Sequence, residues 1–251
     1  MIDLVAGYAK GYTQDVIRPF LKSLRDTGYE GQVLLFADGG AALEAKKWDV
    51  DVRRLPVSSM KVHSARFLCL EEALRGPASC SGVLLTDTRD VVFQQNPTTF
   101  LPSQGLNVFE EDRSQTLGTC PYNSEWLKVG YGEAVWRGLS ARPICCVGTT
   151  CGTLDAVRVY LQRLRAEVER IQSKTHLPQD QAAHNYLVYR DKTARVWPNE
   201  YGEVYTVGYL PRESVRVVGG KIVNQLGKVP AVIHQWDRHQ NLIEHVRRLV
   251  E

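Results

Sequence analysis

The chain has 251 residues, 43% hydrophobic and 24% charged, with a formal charge of +3 and no apolar run long enough to span a bilayer. This is a globular composition with ample material for a core, and the charge is too mild to point to nucleic acid, although it suits an anionic small molecule. Met1 leads into strand-like residues without a signal peptide's basic and apolar regions, and six cysteines occur without paired Cys-x-x-Cys spacing, so the expectation is one cytoplasmic domain with reduced thiols and no zinc site.

Ile2 to Gly7 reads as a strand and Tyr8 to Thr13 as a loop. An amphipathic helix from about Gln14 to Thr27 then buries Val16, Ile17, Phe20, Leu21 and Leu24, and Gly28 ends it. Gln32 to Ala37 is a second buried strand before Asp38, Gly39 and Gly40, which makes a βαβ start with its right-handed crossover. No Gly-x-Gly-x-x-Gly follows the first strand, so NAD is disfavoured. Asp49 to Pro56 reads as an edge strand and Ser58 to Leu74 as a helix with Phe67, Leu68, Leu70 and Leu74 on its buried side. Lys61, His63 and Arg66 sit at its start, where cations oppose the helix dipole; they either meet an anion or form a solvated basic face.

The stretch from Gly82 to Gln94 organises the rest. Val83, Leu84 and Leu85 form a short apolar run bounded by Gly and charge, which reads as a buried strand delivering Asp87, Thr88, Arg89 and Asp90 to its carboxyl end. Ligands bind at that end of an open α/β sheet, and two acids so spaced can turn toward one hard cation; alternatively, Arg89 pairs with one of them in a surface turn. Val91, Val92 and Phe93 continue the strand, followed by Pro97 and a polar loop to Gln104.

Leu106 to Phe109 reads as a strand ending in Glu110, Glu111 and Asp112, where a general base or a solvated acidic loop fits. Asn123 to Gly132 is a short helix carrying Trp126 and Leu127. Pro143 to Val147 is a strand entering a small-residue turn, Gly148 to Gly152, and Thr153 caps a long helix that buries Leu154, Val157, Leu161, Leu164, Val168 and Ile171. A loop from Thr175 to Gln179 precedes a helix from Asp180 to Tyr189 that buries Ala183, Tyr186 and Leu187 and whose first residue is either a cap or a ligand group. Strand-like pieces at Arg195 to Trp197, Val204 to Val207, Val215 to Val218 and Lys221 to Val223 suggest a small antiparallel patch turning at Gly219 and Gly220. Pro230 to Ile233 is a strand ending on His234, a third metal ligand or a structural histidine, before an amphipathic helix with Leu242, Ile243, Val246 and Leu249.

In this order the residues resemble a metal-dependent GT-A glycosyltransferase over nearly the whole chain, similar to glycogenin-like transferases and the collagen-modifying glycosyltransferase domains. The resemblance implies a Rossmann-type α/β fold with a mixed, mostly parallel sheet flanked by helices, residues 1–95 forming a nucleotide-binding half and 96–251 an acceptor-side half. It implies that Asp87, Asp90 and His234 ligate Mn²⁺ (or Mg²⁺) bound to a UDP-sugar, the "TDTRDVVF" form of the acid motif looking closer to the collagen-modifying domains than to Asp-x-Asp. Arg66, with Lys61, then contacts the donor; Ala6, Gly7 and Tyr8 lie by the base, Thr88 lies in the donor site, and Asp180 and Gln181 line the sugar and acceptor side. "CCVGTTCG" replaces the Asn-x-Gly such enzymes commonly carry, so sugar contacts do not transfer. The expected reaction passes a sugar to a glycan or other hydroxyl acceptor, with retention, or with inversion if Glu111 or Asp112 acts as base. Two rivals fit less well: an aspartyl phosphatase places its second Asp where Arg89 stands, and a nucleotidyltransferase carries a more basic loop than Gly7 to Gly11. A non-catalytic sugar-binding module needs the same residue types and stays open.

Overall fold

A computed structural model of the chain describes residues 1–56, 61–76, 79–172, 177, 179–192 and 194–250, the side chains of His63 and Val250 excepted. The first elements are β1 (Leu4–Ala9), α1 (Gln14–Asp26), β2 (Gln32–Ala37), α2 (Gly39–Ala45), β3 (Asp51–Arg53), α3 (Val62–Arg75) and β4 (Gly82–Thr86). Then come β5 (Val91–Phe93), α4 (Pro97–Phe100), β6 (Leu106–Glu110), α5 (Pro121–Tyr131), α6 (Glu133–Leu139), β7 (Cys145–Thr153) and α7 (Leu154–Gln172). The chain ends with α8 (Asp180–Asp191), β8 (Ala194–Trp197), β9 (Val204–Thr206), β10 (Arg216–Val218), β11 (Lys221–Val223), β12 (Val232–His234) and α9 (Gln240–Val250).

A 7-stranded sheet in the order β3-β2-β1-β4-β7-β6-β8 forms the centre. β7 runs against its neighbours β4 and β6, whereas β1, β2, β3 and β4 are parallel, as are β6 and β8. This is the mixed, mostly parallel α/β sheet expected. Side chains alternate across it: Leu4, Ala6 and Tyr8 of β1 enter a core with α3, α7 and α8, while Val5 and Ala9 enter one with α1 and α2. The long helix α7 buries all the apolar positions assigned to it, and Thr153 Oγ1 accepts the Ala156 N–H at its start. Among the described residues no helix is long and apolar enough to cross a membrane. The six cysteines are free and buried.

Several boundaries differ from expectation. The run from Gly82 to Gln94 is two strands in two sheets: β4 belongs to the main sheet, β5 to a 3-stranded sheet in the order β5-β12-β9. Gly148 to Gly152 is strand, part of β7, because its backbone pairs with β4 on one side and β6 on the other. Buried on both faces, such a strand shows no polar alternation, so small residues there imitate a turn. The antiparallel patch shrinks to the β10–β11 hairpin, whose Gly219 and Gly220 have φ of +57° and +74° as a tight two-residue turn requires. β8 joins the main sheet beside β6, and β9 lies parallel to β12. Helices α2, α4 and α6 were not anticipated. Leu68, Tyr186 and Val16 are half-buried and Leu249 is exposed. The expected helix start at Ser58, and Thr175, His176 and Pro178 of the expected loop, lie outside the described residues.

A buried carboxylate joins α1 to α2. Glu44 accepts from Arg18 Nε (3.0 Å), Lys47 Nζ (2.7 Å) and Trp48 Nε1 (3.3 Å). Burial alone pushes its carboxyl up, but these hydrogen bonds and the Arg18 charge prevail and bring it down to about 2. A depressed folded value stabilises the protein above the ordinary 4.5 of glutamate and loses that stabilisation as pH falls through the folded value. Glu44→Gln is therefore expected to cost roughly 1–3 kcal/mol near neutrality, the deficit fading between pH 4.5 and about 2. Urea unfolding at stepped pH measures this, and a deficit independent of pH would contradict it.

Candidate active site

Two antiparallel ladders carry the site. On one side β4 runs beside β7, and the Asp87 N–H donates to the Gly148 carbonyl at 2.7 Å. On the other side β5 pairs with β12 so that Val91 stands opposite His234, and the Gln235 N–H donates to the Asp90 carbonyl at 2.8 Å. Gln235 takes a left-handed conformation (φ +62°), a strain of roughly 1–3 kcal/mol for a non-glycine residue that here turns the chain back toward Asp90. The loop between β4 and β5 is also pinned to β1, because Thr88 Oγ1 donates to the Tyr8 carbonyl at 2.9 Å.

Asp87, Asp90 and the sequence-distant His234 each present a ligand atom within 4.8 Å of the others. His234 Nε2 lies 3.4 Å from Asp87 Oδ2 and 3.7 Å from Asp90 Oδ1, is buried, and has no hydrogen-bond partner. Burial pushes the His234 pKa down, against the pull of Asp90 and Glu111, which keeps the imidazole neutral. A Cβ on Gly148 would stand 2.6 Å from Asp87 Oδ2 and 2.9 Å from His234 Nε2, so the bare Cα keeps the space between these atoms open. An orphaned imidazole nitrogen, carboxylate oxygens and an open cradle fit a divalent cation, and this oxygen and nitrogen donor set suits Mn²⁺.

Arg66 of α3 connects this group to its surroundings. One guanidinium nitrogen donates to Asp87 Oδ1 and the other to Asp180 Oδ2 at 2.9 Å. Asp180 is the first residue of α8 and not its N-cap, which is Gln179, and the Gln179 side chain makes no capping hydrogen bond. The next residue, Gln181, accepts from the Val147 N–H (2.9 Å) through Oε1 and donates to the Cys145 carbonyl (3.0 Å), which docks α8 on β7. Asn185, one turn on, grips both backbone groups of Cys145.

Asp87 stands where two clefts meet. The first is lined by Tyr8, Tyr12, Val62, Arg66 and the Asp87 to Asp90 loop. The second, about 350 Å³, is lined by Asp87, Glu111, Asn123, Trp126, Cys146 to Gly148, Asp180, Gln181, Tyr209, Gln235 and Arg238. Of the candidates for the first cleft, Tyr8 and Thr88 line it, whereas Ala6 is fully buried in the core and the bare Cα of Gly7 is covered by the Thr88 methyl. Lys61 is exposed just before α3 and does not line it. Three consecutive acids separate by role: Glu110 pairs with Arg113 (2.6 Å), Asp112 accepts the Ser114 N–H (2.9 Å), and Glu111 faces the second cleft with Oε2 unpartnered. Burial raises the Glu111 pKa. Arg89 bridges Asp237 (3.1 Å) and Asp90 (3.7 Å), so the ion-pair reading and the ligand geometry coexist.

Sequence reasoning missed Tyr12, Asn123, Tyr209, Gln235 and Arg238 as lining residues and took Cys146 for an ordinary thiol. Periodicity offered no sign of these. The proximity of Gln235 and Arg238 to His234 was the one available signal.

A sheet of this order, with an acid pair at the end of β4 and a crossing β7, is the GT-A fold. The galactosyltransferase LgtC, solved in complex with donor and acceptor sugar analogues, shares it at a TM-score of 0.59 and 16% identity, the match covering 98% of this chain and 95% of that one. No family model and no curated protein matches the chain.

Asp180 is buried and the Arg66 side chain is only 16% exposed, so their bond is more than a surface pair. A double-mutant cycle with Arg66→Gln and Asp180→Asn is expected to give a coupling of roughly 0.5–3 kcal/mol in chemical unfolding. Additive losses would mean that the two side chains do not support each other.

Proposed function

We propose that the protein is a divalent-cation-dependent glycosyltransferase that moves a sugar from a UDP-sugar to a hydroxyl of a glycan or similar acceptor, with retention. The observation that carries this reading is the convergence of Asp87, Asp90 and His234 on one another, with Asp87 and His234 over the bare Cα of Gly148 and Asp87 at the junction of two clefts. Likeness in fold to a galactosyltransferase crystallised with donor and acceptor sugar analogues supports it. In this reading the nucleoside occupies the cleft of Tyr8 and Tyr12, where an aromatic face is available for stacking, and the sugar and acceptor occupy the second cleft. Three residues of that second cleft, Glu111, Asn123 and Gln235, carry buried acceptor oxygens without a hydrogen-bond partner, which suits a ligand rich in hydroxyl donors.

Asp87, Asp90 and His234 would hold Mn²⁺ or Mg²⁺, which when bound supplies Lewis-acid stabilisation of the charge on the leaving diphosphate. Arg66 orients Asp87 toward that site and holds Asp180 at the sugar side with one planar group. Asp180 accepts sugar hydroxyls and stabilises positive charge at the anomeric carbon as its bond to the diphosphate oxygen breaks. The acceptor oxygen forms the new bond on the same face, and its proton passes to the departing diphosphate. Glu111 supports a second reading, inversion, because it lines the acceptor cleft and one of its carboxyl oxygens has no hydrogen-bond partner, whereas the Asp112 side chain is engaged by Ser114. Buried free thiols favour a reducing compartment such as the cytoplasm.

The test is a panel of nucleotide sugars assayed for Mn²⁺-dependent release of UDP, with the anomer of the product read by NMR. Asp90→Asn is expected to abolish the metal-dependent turnover with little change in melting temperature. Asp180→Asn should lower turnover by about 10²–10³-fold while UDP binding stays normal. Tight UDP binding without turnover of any sugar would make the protein a binding module; an inverted product would transfer the base role to Glu111.

A further inference from the structure

The ring of His234 has two nitrogens with different surroundings. Nε2 faces Asp87 and Asp90 at 3.4 and 3.7 Å, yet neither contact has hydrogen-bond geometry. Nδ1 lies 3.6 Å from the sulfur of Cys146, within the range of a hydrogen bond to sulfur. A neutral imidazole carries one hydrogen, which belongs on the nitrogen that has an acceptor. Only Nδ1 has a partner, and it is the donor if the thiol hydrogen of Cys146 is directed elsewhere.

Cys146 is placed for this by the pleat of β7. Successive side chains point to opposite faces, so Cys145 turns to the Tyr189 hydroxyl (3.4 Å) on one side and Cys146 to His234 on the other. The Cys146 sulfur also receives the Gln235 amide, Nε2 to Sγ 3.9 Å, and lies against the carboxyl of Glu111. The sulfur thus receives the Gln235 amide, and with its own hydrogen turned to the Glu111 carboxyl it is left as an acceptor for Nδ1. All four side chains are buried.

We infer that Cys146 is a positioning residue for the cation site: its sulfur accepts the Nδ1 hydrogen of His234 and its thiol hydrogen goes to Glu111, leaving the Nε2 lone pair free between Asp87 and Asp90. The inference rests on the reading of Asp87, Asp90 and His234 as ligands. A ligating histidine works only when its metal-facing nitrogen is unprotonated, and the partner of the other nitrogen sets both tautomer and ring orientation. That partner is usually a carboxylate or a carbonyl. Here a thiol stands between the imidazole and the carboxylate of Glu111, so Glu111 reaches the site through Cys146.

Two measurements decide it. Nitrogen NMR of metal-free protein labelled in histidine is expected to show His234 as the Nδ1-protonated tautomer, and an Nε2-protonated ring would overturn the assignment whatever the variants do. Mn²⁺ titrated into wild type, Cys146→Ala and Cys146→Ser, followed by the electron paramagnetic resonance of the free ion, is expected to show affinity about 10–100-fold weaker in the alanine variant. Serine keeps a donor and an acceptor and should recover most of that loss. Alanine binding Mn²⁺ as tightly as wild type would overturn the positioning role. Wild type failing to bind Mn²⁺ would overturn the cation site itself, and the role of Cys146 with it, even where the tautomer is as assigned. Because the tautomer is read on wild type, a variant that fails to fold leaves that decision intact.

Discussion

The loop from Asp87 to Asp90 is clamped between two antiparallel ladders, and the geometry of the site depends on that clamp. β4 leaves the main sheet beside β7, and β5 enters the smaller sheet beside β12, so Asp87 meets Gly148 and Asp90 meets His234 by register rather than by side-chain choice. A slip of one residue in either ladder would send the side chains to the opposite face. Burial of Val83, Leu84 and Leu85 in β4 and of Val91, Val92 and Phe93 in β5 makes such a slip costly, because an apolar core is filled on both sides of the loop. The hydrophobic cores therefore fix where the polar atoms stand.

Charge imposes the second constraint. Asp87, Asp90, Asp180 and Glu111 crowd around one end of the sheet, a concentration of like charge that needs compensation when partly removed from water. Arg66 provides it for two of them, and its planar group is suited to face two carboxylates at once. The same bridge makes the position of Asp180 depend on that of Asp87, so a ligand that moves one acid is felt by the other. Arg89 performs a comparable service for Asp90 and Asp237 at the rim, where water weakens the effect.

The sequence made the acids legible because they follow a short apolar run directly, and His234 because it ends one. Strand β7 was misread for the reason that makes it useful: a central strand buried on both faces and approached closely at Gly148 is built of small residues, which in isolation look like a turn. Helix α2 was hidden by Gly39 and Gly40, whose low helix propensity is overridden by Ala41 and Ala45 packing under β2 and by the buried ion pairs of Glu44. Gln181 illustrates a further limit. Its position beside Asp180 was readable, but its engagement with the backbone of β7 required the fold.

The three acids after β6 show how backbone geometry assigns chemistry that composition leaves undivided. In a strand end the side chains alternate, so Glu110 and Glu111 leave on opposite sides. Glu110 finds Arg113, and Asp112 turns back to the Ser114 amide. Glu111 is left without a cation in contact, in a buried position that raises its pKa, beside the thiol that touches His234. A carboxyl kept in such surroundings costs stability that any apolar residue of similar size would spare. Its neighbours resolve the cost only in part, since one oxygen stays unpartnered. That unmet demand for a hydrogen-bond donor stands at the wall of the cleft that Asp180 and Trp126 also line, so a polar group that reaches it is better accommodated there than an apolar one.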